Sequence, residues 1–328
     1  MSLARFLARR LLQGVAVVWG VVTVVFGLRY VTPGSPITFI APLDASEETK
    51  QAIAEELGLD QPLYVQYADY LVGLLQGDMG YSYQSGTAVS AQVFARLPAT
   101  LELAVAASVV AVVVSIPLGV VSATNRNQPS DYLATLFSLV GISTPNFWLG
   151  LMLVLVVSVG FDLFPTSRRA IGLWPALEML VTEGRTVGLA TWLRYITLPA
   201  LTLGTYFTAL ITRLTRSGML DELGKSYVRA ARAKGLSEAL VRYKHALRNT
   251  LAPVVTVVGL QLGTLIGGAV ITEAVFAWPG LGTLIITAIN ERNWPIIQGS
   301  LIVIGVGFVL INIVVDLVYA YLDPEVAY

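Results

Sequence analysis

The sequence predicts an all-α membrane protein with six transmembrane helices, and three observations predict it. Charged residues make up only 13% of the 328, about half the share of a soluble domain. Hydrophobic residues make up 55%. Finally, the apolar residues gather into six charge-free stretches near the length of about 20 residues that crosses a bilayer core of about 30 Å. A charged side chain at mid-span costs about 2.5–3.5 kcal/mol on insertion scales, so clean runs of this length mark spans.

The first stretch, Leu11–Leu28, follows Arg5, Arg9 and Arg10. Its apolar run is longer than a signal core and no Ala-x-Ala site follows, so it reads as an uncleaved anchor occupying residues 1–30. Residues 31–97 form an extracytoplasmic region too long for a simple connector. Within it "AIAEELGLDQPLYVQYADYLVGLLQG" predicts two amphipathic helices, which either pack on the chain's own spans or receive an external partner.

A core over 98–323 holds the other five spans: Leu103–Ala123, Leu133–Phe161, Tyr195–Thr212, Asn249–Thr272 and Trp294–Val315. Pro117, Pro145 and Pro199 are expected to bend theirs. Ala274–Asn290 is also uncharged, but "WPGLG" interrupts it, and Pro with two Gly breaks a lipid-facing helix. It reads as a short segment on the outer side between the last two spans.

Lys and Arg placement orients the chain. With the N-terminus inside, thirteen of the twenty-one fall in cytoplasmic pieces; of the other eight, three lie in the long first outer loop, whose charges count little. Both termini are therefore expected in the cytoplasm of a multi-pass cell-membrane protein.

Composition excludes several chemistries. Net charge is zero, which offers nothing to nucleic acid. There is no cysteine and a single histidine, His245, so neither a thiol nucleophile nor a clustered metal site is expected. No residue is expected to be catalytic. The "GKS" at 224–226 ends like a phosphate-binding loop, but Met219 stands where the first glycine belongs, and a membrane helix precedes it instead of a strand. An intramembrane serine protease would need G-x-S-G with a histidine in the bilayer; "GISTP" lacks the second glycine and His245 lies in the inner loop. A secondary transporter or channel is the more serious rival, but inverted repeats and mid-span ionisable groups are not evident.

The inner loop, 217–248, is more ordered than charge retention alone requires. Residues 225–250 hold seven Lys or Arg. "KSYVRAARAK" suits a short helix, with Gly235 as its C-terminal cap after Arg232 and Lys234. Ser237 can cap a second helix with Glu238 in its first turn. Leu240, Tyr243, Leu247 and Leu251 then recur at helical spacing as a buried stripe leading into the fifth span.

This stretch resembles the EAA loop of ABC importer permeases, with Arg229, Ala230, Ala231 and Gly235 at the places of E-A-A-x-x-x-G. The resemblance covers almost the whole chain and is to the B-type permease of the dipeptide, oligopeptide and nickel branch. Its carriers are "LGLDQPLYVQY", "GDMGYSY", "RLPATLEL", "GISTPNFWLG", "LPALTLG", "RLTRSGML", "HALRNTLAPVVT", "EAVFAWPGLG" and "DLVYAYLDP", in order. Arg229 replaces the glutamate of the pattern, Ser35 stands in "PGSP" where the branch has Asp, and Glu325 follows Asp323-Pro324 where it has Arg.

The resemblance implies the type I importer permease fold and one half of a translocation pathway. Peptides are the default cargo, with nickel, glutathione or oligosaccharides as alternatives. The implied partners are a second, homologous permease, two ATPase subunits and an external solute-binding protein, besides membrane lipid. This chain is expected to bind no cofactor, ATP and Mg belonging to the ATPases. The loop would carry the coupling helix that docks them, through Tyr227, Arg229, Ala230, Ala231, Arg232, Lys234, Gly235 and Leu236.

Polar residues at membrane depth complete the candidates. Asn312 and Asp316 lie one turn apart on the last span. Either they line the exit path, or Asp316 pairs with Arg213 or Arg216 at the same depth, and the ion pair is the favoured reading. Asn146, Trp148, Gln261 and Asn312 are candidates for the pathway wall.

Overall fold

A computed structural model describes residues 3–31, 37, 41, 45–56 and 58–322. Every regular element among the described residues is a helix, the one β feature there being the isolated bridge Tyr81–Ala88. The "PGSP" turn and the tail from Asp323 lie outside the described residues.

Four helices are long and apolar enough to cross a membrane alone: α1 (Leu3–Val31), α4 (Val89–Thr124), α8 (Val187–Leu223) and α13 (Trp294–Leu322). They contain the first, second, fourth and sixth expected spans. Two bent pairs bring the number to six. One is α11 (Leu247–Val275), whose segments Pro253–Leu265 and Ala269–Val275 meet at 57° around the Gly267–Gly268 pair.

The other pair departs further from expectation. The third stretch is two helices, α5 (Pro129–Ser143) and α6 (Asn146–Leu153, continued by π-type turns Val154–Gly160), at 109°. The break sits at Pro145, and Thr144 before it is extended, φ −85° and ψ 124°. A residue preceding proline is pushed out of the helical region by the proline ring, so hydrophobicity stays continuous where the backbone cannot. Pro117 and Pro199, by contrast, sit inside unbroken helices.

α4 and α8 carry 36 and 37 residues, about 54–56 Å at 1.5 Å per residue, so both project well beyond the hydrocarbon core. Their contact is the centre of the molecule, and α11 joins it. Small residues Ala99, Ala104, Ala107 and Ala111 of α4 are buried against Ile196, Ala200, Leu203 and Phe207 of α8. Small side chains let membrane helices approach closely where dispersion, rather than water exclusion, drives association. α13 packs on α11 and on α1.

Shorter helices lie among the spans, on the side expected to face outward. α2 (Glu47–Glu56) and α3 (Leu63–Leu75) are the two helices expected in the first loop. α3 packs on the spans: Tyr67, Tyr70 and Leu71 lie against Phe26, Val22 and Val25 of α1, with a Thr23–Tyr67 hydroxyl hydrogen bond of 2.6 Å. α7 (Leu173–Glu183) was not anticipated from the sequence. α12 (Leu281–Asn290) is the short segment expected after "WPGLG".

Candidate functional site

The loop expected on the inner side begins where α8 stops at Leu223. Glu222, near its end, accepts hydrogen bonds from Lys225 Nζ (2.6 Å), Tyr227 Oη (2.5 Å) and Asn249 Nδ2 (3.5 Å). These contacts tie the end of α8, the start of the next helix and the start of α11 into one corner. Burial, then donation to Glu222, pushes the Tyr227 phenol above its ordinary pKa.

The next helix is α9 (Ser226–Ala233). One face, Val228 and Ala231, is buried with Val241 beneath Leu223 and Tyr227. The other face, with Arg229, Ala230, Arg232 and Lys234, is exposed. Gly235 follows in the left-handed region, φ 78°. Its N–H donates to Arg232 O (2.9 Å), and the Leu236 N–H donates to Ala231 O (3.3 Å). This is the Schellman pattern, in which a left-handed residue satisfies the last helical carbonyls.

Ser237 caps α10 (Glu238–Leu240) by accepting from Leu240 N at 3.4 Å. Glu238 bridges back to Arg232 (2.7 Å) and on to Arg242 (3.4 Å). The hydrogen bond from Arg232 holds its carboxyl below the ordinary range.

The expected buried stripe is displaced. Val241 and Ala246 are buried, whereas Leu240 is 37% and Tyr243 59% exposed. The cause is local winding: Val241–Ala246 forms π-type turns, whose i→i+5 hydrogen bonds use more residues per turn and rotate the face. The result is a solvent-facing surface on which Leu236, Leu240 and Tyr243 stand beside the basic residues of α9.

The expected pairing of Asp316 with Arg213 or Arg216 is incorrect. Asp316 pairs with Arg10 at 3.1 Å, joining α13 to α1. Arg216 instead makes a two-toothed contact with Asp131 of α5, 2.6 and 2.9 Å, and Arg213 is exposed. Depth along a span is readable from sequence, but which helices are neighbours is not. α13 stands beside α1 and α11, while α8 stands beside α5. Asp131, only 3% exposed, also accepts from Ser122 Oγ (2.5 Å) and Asn127 N (3.0 Å). Its one sequence signal is its place in the first turn after Pro129, which reads as helix initiation.

Two further buried carboxylates escaped the candidate set. Glu273, 0% exposed, accepts from Thr100 Oγ1 (2.6 Å), Gly282 N (2.7 Å) and Thr283 N (3.2 Å), capping α12 and pinning it to α4. A Cβ at Gly280 would stand 2.2 Å from that carboxylate, which explains glycine in "WPGLG". The indole of Trp278 donates to Ala99 O at 2.8 Å. Glu102 of α4 accepts from Arg169, Trp192 and the Leu173 N–H, gathering the start of α7 and α8 around it.

The proposed wall residues are not brought together by any hydrogen bond among the described residues. Gln261 accepts from Thr264 (2.9 Å), and Asn312 donates to Phe308 O of its own helix (2.8 Å) beside Gly263 of α11. Asn146 is half-buried and Trp148 exposed at the start of α6. Among the described residues no group of His, Asp and Glu is placed to hold a metal ion.

Comparison with known proteins covers nearly the whole chain. Residues 115–328 match the family described as the inner membrane component of binding-protein-dependent transport systems, and residues 3–104 match the N-terminal part of such membrane components. The dipeptide transport system permease protein DppB of Alkalihalophilus pseudofirmus is 39% identical over 330 residues, 98% of both chains. The oligopeptide transport system permease protein AppB of Bacillus subtilis is 38% identical over 327 residues, 99% of this chain and 100% of the relative. The glutathione transport system permease protein GsiC of Escherichia coli is 38% identical over 323 residues, 98% and 99%.

Proposed function

The chain belongs to the family of binding-protein-dependent transport system inner membrane components, and on that premise we propose that it is one permease subunit of an ATP-driven importer of short peptides. The observation that carries the cargo is near-full-length similarity to permeases named for dipeptides and oligopeptides. A second reading, glutathione, is favoured by the comparable identity to a permease named for it. Both cargoes are peptides.

The division of labour follows from the chain's own residues. It offers no phosphate-binding loop, so ATP and Mg are held by two partner ATPases, and this chain is not catalytic. A second, homologous permease completes the pathway in the cell membrane, and an external solute-binding protein delivers the cargo. Both termini lie in the cytoplasm, with the anchor at 1–30, the outer region at 31–97 and the permease core at 98–323.

Residues 217–248 form the coupling element. Tyr227, Arg229, Ala230, Ala231, Arg232, Lys234, Gly235 and Leu236 make up the docking set, with Ala231 and Tyr227 fixing the helix from behind and the others facing the ATPase. The corner around Glu222 gives this element a mechanical role. Because Lys225, Tyr227 and Asn249 all converge on it, a push on α9 moves the inner ends of α8 and α11 together. Between the two permeases, Asn146, Trp148, Gln261 and Asn312 supply polar and aromatic contacts to the passing peptide.

The test is uptake in cells lacking the gene. A radiolabelled dipeptide and glutathione are offered to deleted and complemented strains, with nickel and an oligosaccharide as controls. Restoration of dipeptide uptake upon complementation is expected. Restoration of nickel or oligosaccharide uptake alone would move the chain to another cargo.

A further inference from the structure

On the outer side, a cleft of about 400 Å³ opens between the turn after α3 and the α12–α13 junction. Its volume falls in the range of small-ligand sites. Its walls are polar, and nearly every neutral group in them is already engaged. Asn293, 3% exposed, donates to Ser82 Oγ (2.7 Å) and accepts from Tyr83 N (3.3 Å), clamping the turn to the junction. Gln92 donates to Ser85 (3.0 Å) and Thr87 (2.7 Å), and Thr287 donates to Thr283 O (3.0 Å).

Two charged side chains lining the cleft have no direct hydrogen-bonding partner, although Arg96 lies within electrostatic reach of the Glu273 carboxylate. Arg96 of α4 and Glu291 at the end of α12 form no ion pair or side-chain hydrogen bond among the described residues. Glu291 also sits at the C-cap of α12, where the negative end of the helix dipole disfavours a carboxylate and favours an incoming cation. A largely neutral wall carrying one exposed charge of each sign, neither in a direct ion pair, is complementary to a small molecule with separated ammonium and carboxylate groups.

We propose that this cleft is an outer subsite for a short zwitterionic peptide, its carboxylate on Arg96 and its ammonium on Glu291. The proposal rests on the peptide-importer reading and adds a place where cargo pauses on this chain outside the membrane. Both side chains are exposed, but Arg96 also acts through space on the buried Glu273 carboxylate, so the thermal stability of the Arg96 variant is measured beside its labelling.

The experiment uses the whole transporter in spheroplasts, whose outer face is open, and the photoreactive dipeptide alanyl-photoleucine as probe. After irradiation the chain is purified and the labelled residues are mapped by mass spectrometry. Label is expected in segments 82–96 and 283–296, displaced by excess dialanine but not by N-acetyl-dialanine amide. Arg96→Met and Glu291→Gln should each lower it about tenfold, the loss of one charge-assisted hydrogen bond.

Absence of label there, or label displaced equally by the charge-blocked competitor, overturns the subsite. So does unchanged labelling in both variants accompanied by a rise in the binding-protein concentration needed for half-maximal uptake, which would make the cleft a protein-docking surface. If the cleft labels as expected in cells that take up no dipeptide, the subsite stands and the importer reading falls.

Discussion

Gly235 joins sequence pattern to mechanism at a single residue. Its φ of 78° and the two hydrogen bonds of the α9 C-terminus require a left-handed residue. No heavy atom lies within 4 Å of where its Cβ would stand, so a side chain there meets only whatever docks. Gly235→Ala and Gly235→Leu share a strain of about 1–2 kcal/mol. Both are expected to insert normally, but the leucine variant should lose several-fold more ATPase co-purification and uptake than the alanine variant. Equal, near-normal transport in both would leave the loop with charge retention alone. Asp131 provides a stability test at the same scale. Removing its partner in Arg216→Met strands a carboxylate that is 3% exposed, at a cost of about 3–5 kcal/mol. Thermal unfolding in detergent should show a marked loss, largely recovered when Asp131→Asn is added.

Among the helices, the two in the first outer loop part company. α3 is bound to α1 through Tyr67, Tyr70 and Leu71 and belongs to the scaffold. Among the described residues α2 shows only local contacts, the Lys50–Glu47 pair (2.6 Å) and a Ser46–Thr49 hydroxyl hydrogen bond (3.0 Å), and contributes no residue to a buried cluster. Removing 45–56 is therefore expected to leave expression intact while lowering uptake at limiting binding-protein concentration. Unchanged uptake would exclude a receiving role for α2. The inner element behaves differently: its π-type turns swing Leu240 and Tyr243 outward, creating an apolar patch beside a basic one.

Taken whole, the proposed role makes the molecule one half of a larger machine. Long helix α4 begins at the cleft and α8 ends at the Glu222 corner; the Asp131–Arg216 pair ties α5 to α8, and the Arg10–Asp316 pair ties α1 to α13. The sequence contains no complete phosphate-binding loop, since Met219 stands where the first glycine before "GKS" belongs. Purified alone and reconstituted in liposomes, it is expected to hydrolyse no ATP and to accumulate no peptide, activity returning when the second permease, the ATPases and the binding protein are added. ATP-dependent accumulation by the solitary chain would refute the proposed division of labour.

Hydrophobic run length and Lys/Arg asymmetry are one-dimensional quantities, so the span positions, the short outer segment after Trp278, the helix–Gly235–helix turn and the Ser237 cap were all legible in the amino-acid order. Those features answer to local backbone preference and to bilayer thickness, which act on neighbours along the chain. Other features were settled by lateral packing between residues far apart in sequence. The partners of Asp316 and Arg216, the capping of α12 by Glu273 and the joining of Arg96 with Glu291 in one cleft all depend on which helix stands beside which. A ladder of similar apolar stretches carries no record of that choice. It is made by close contact of small side chains and by the need of each buried charge to find a partner.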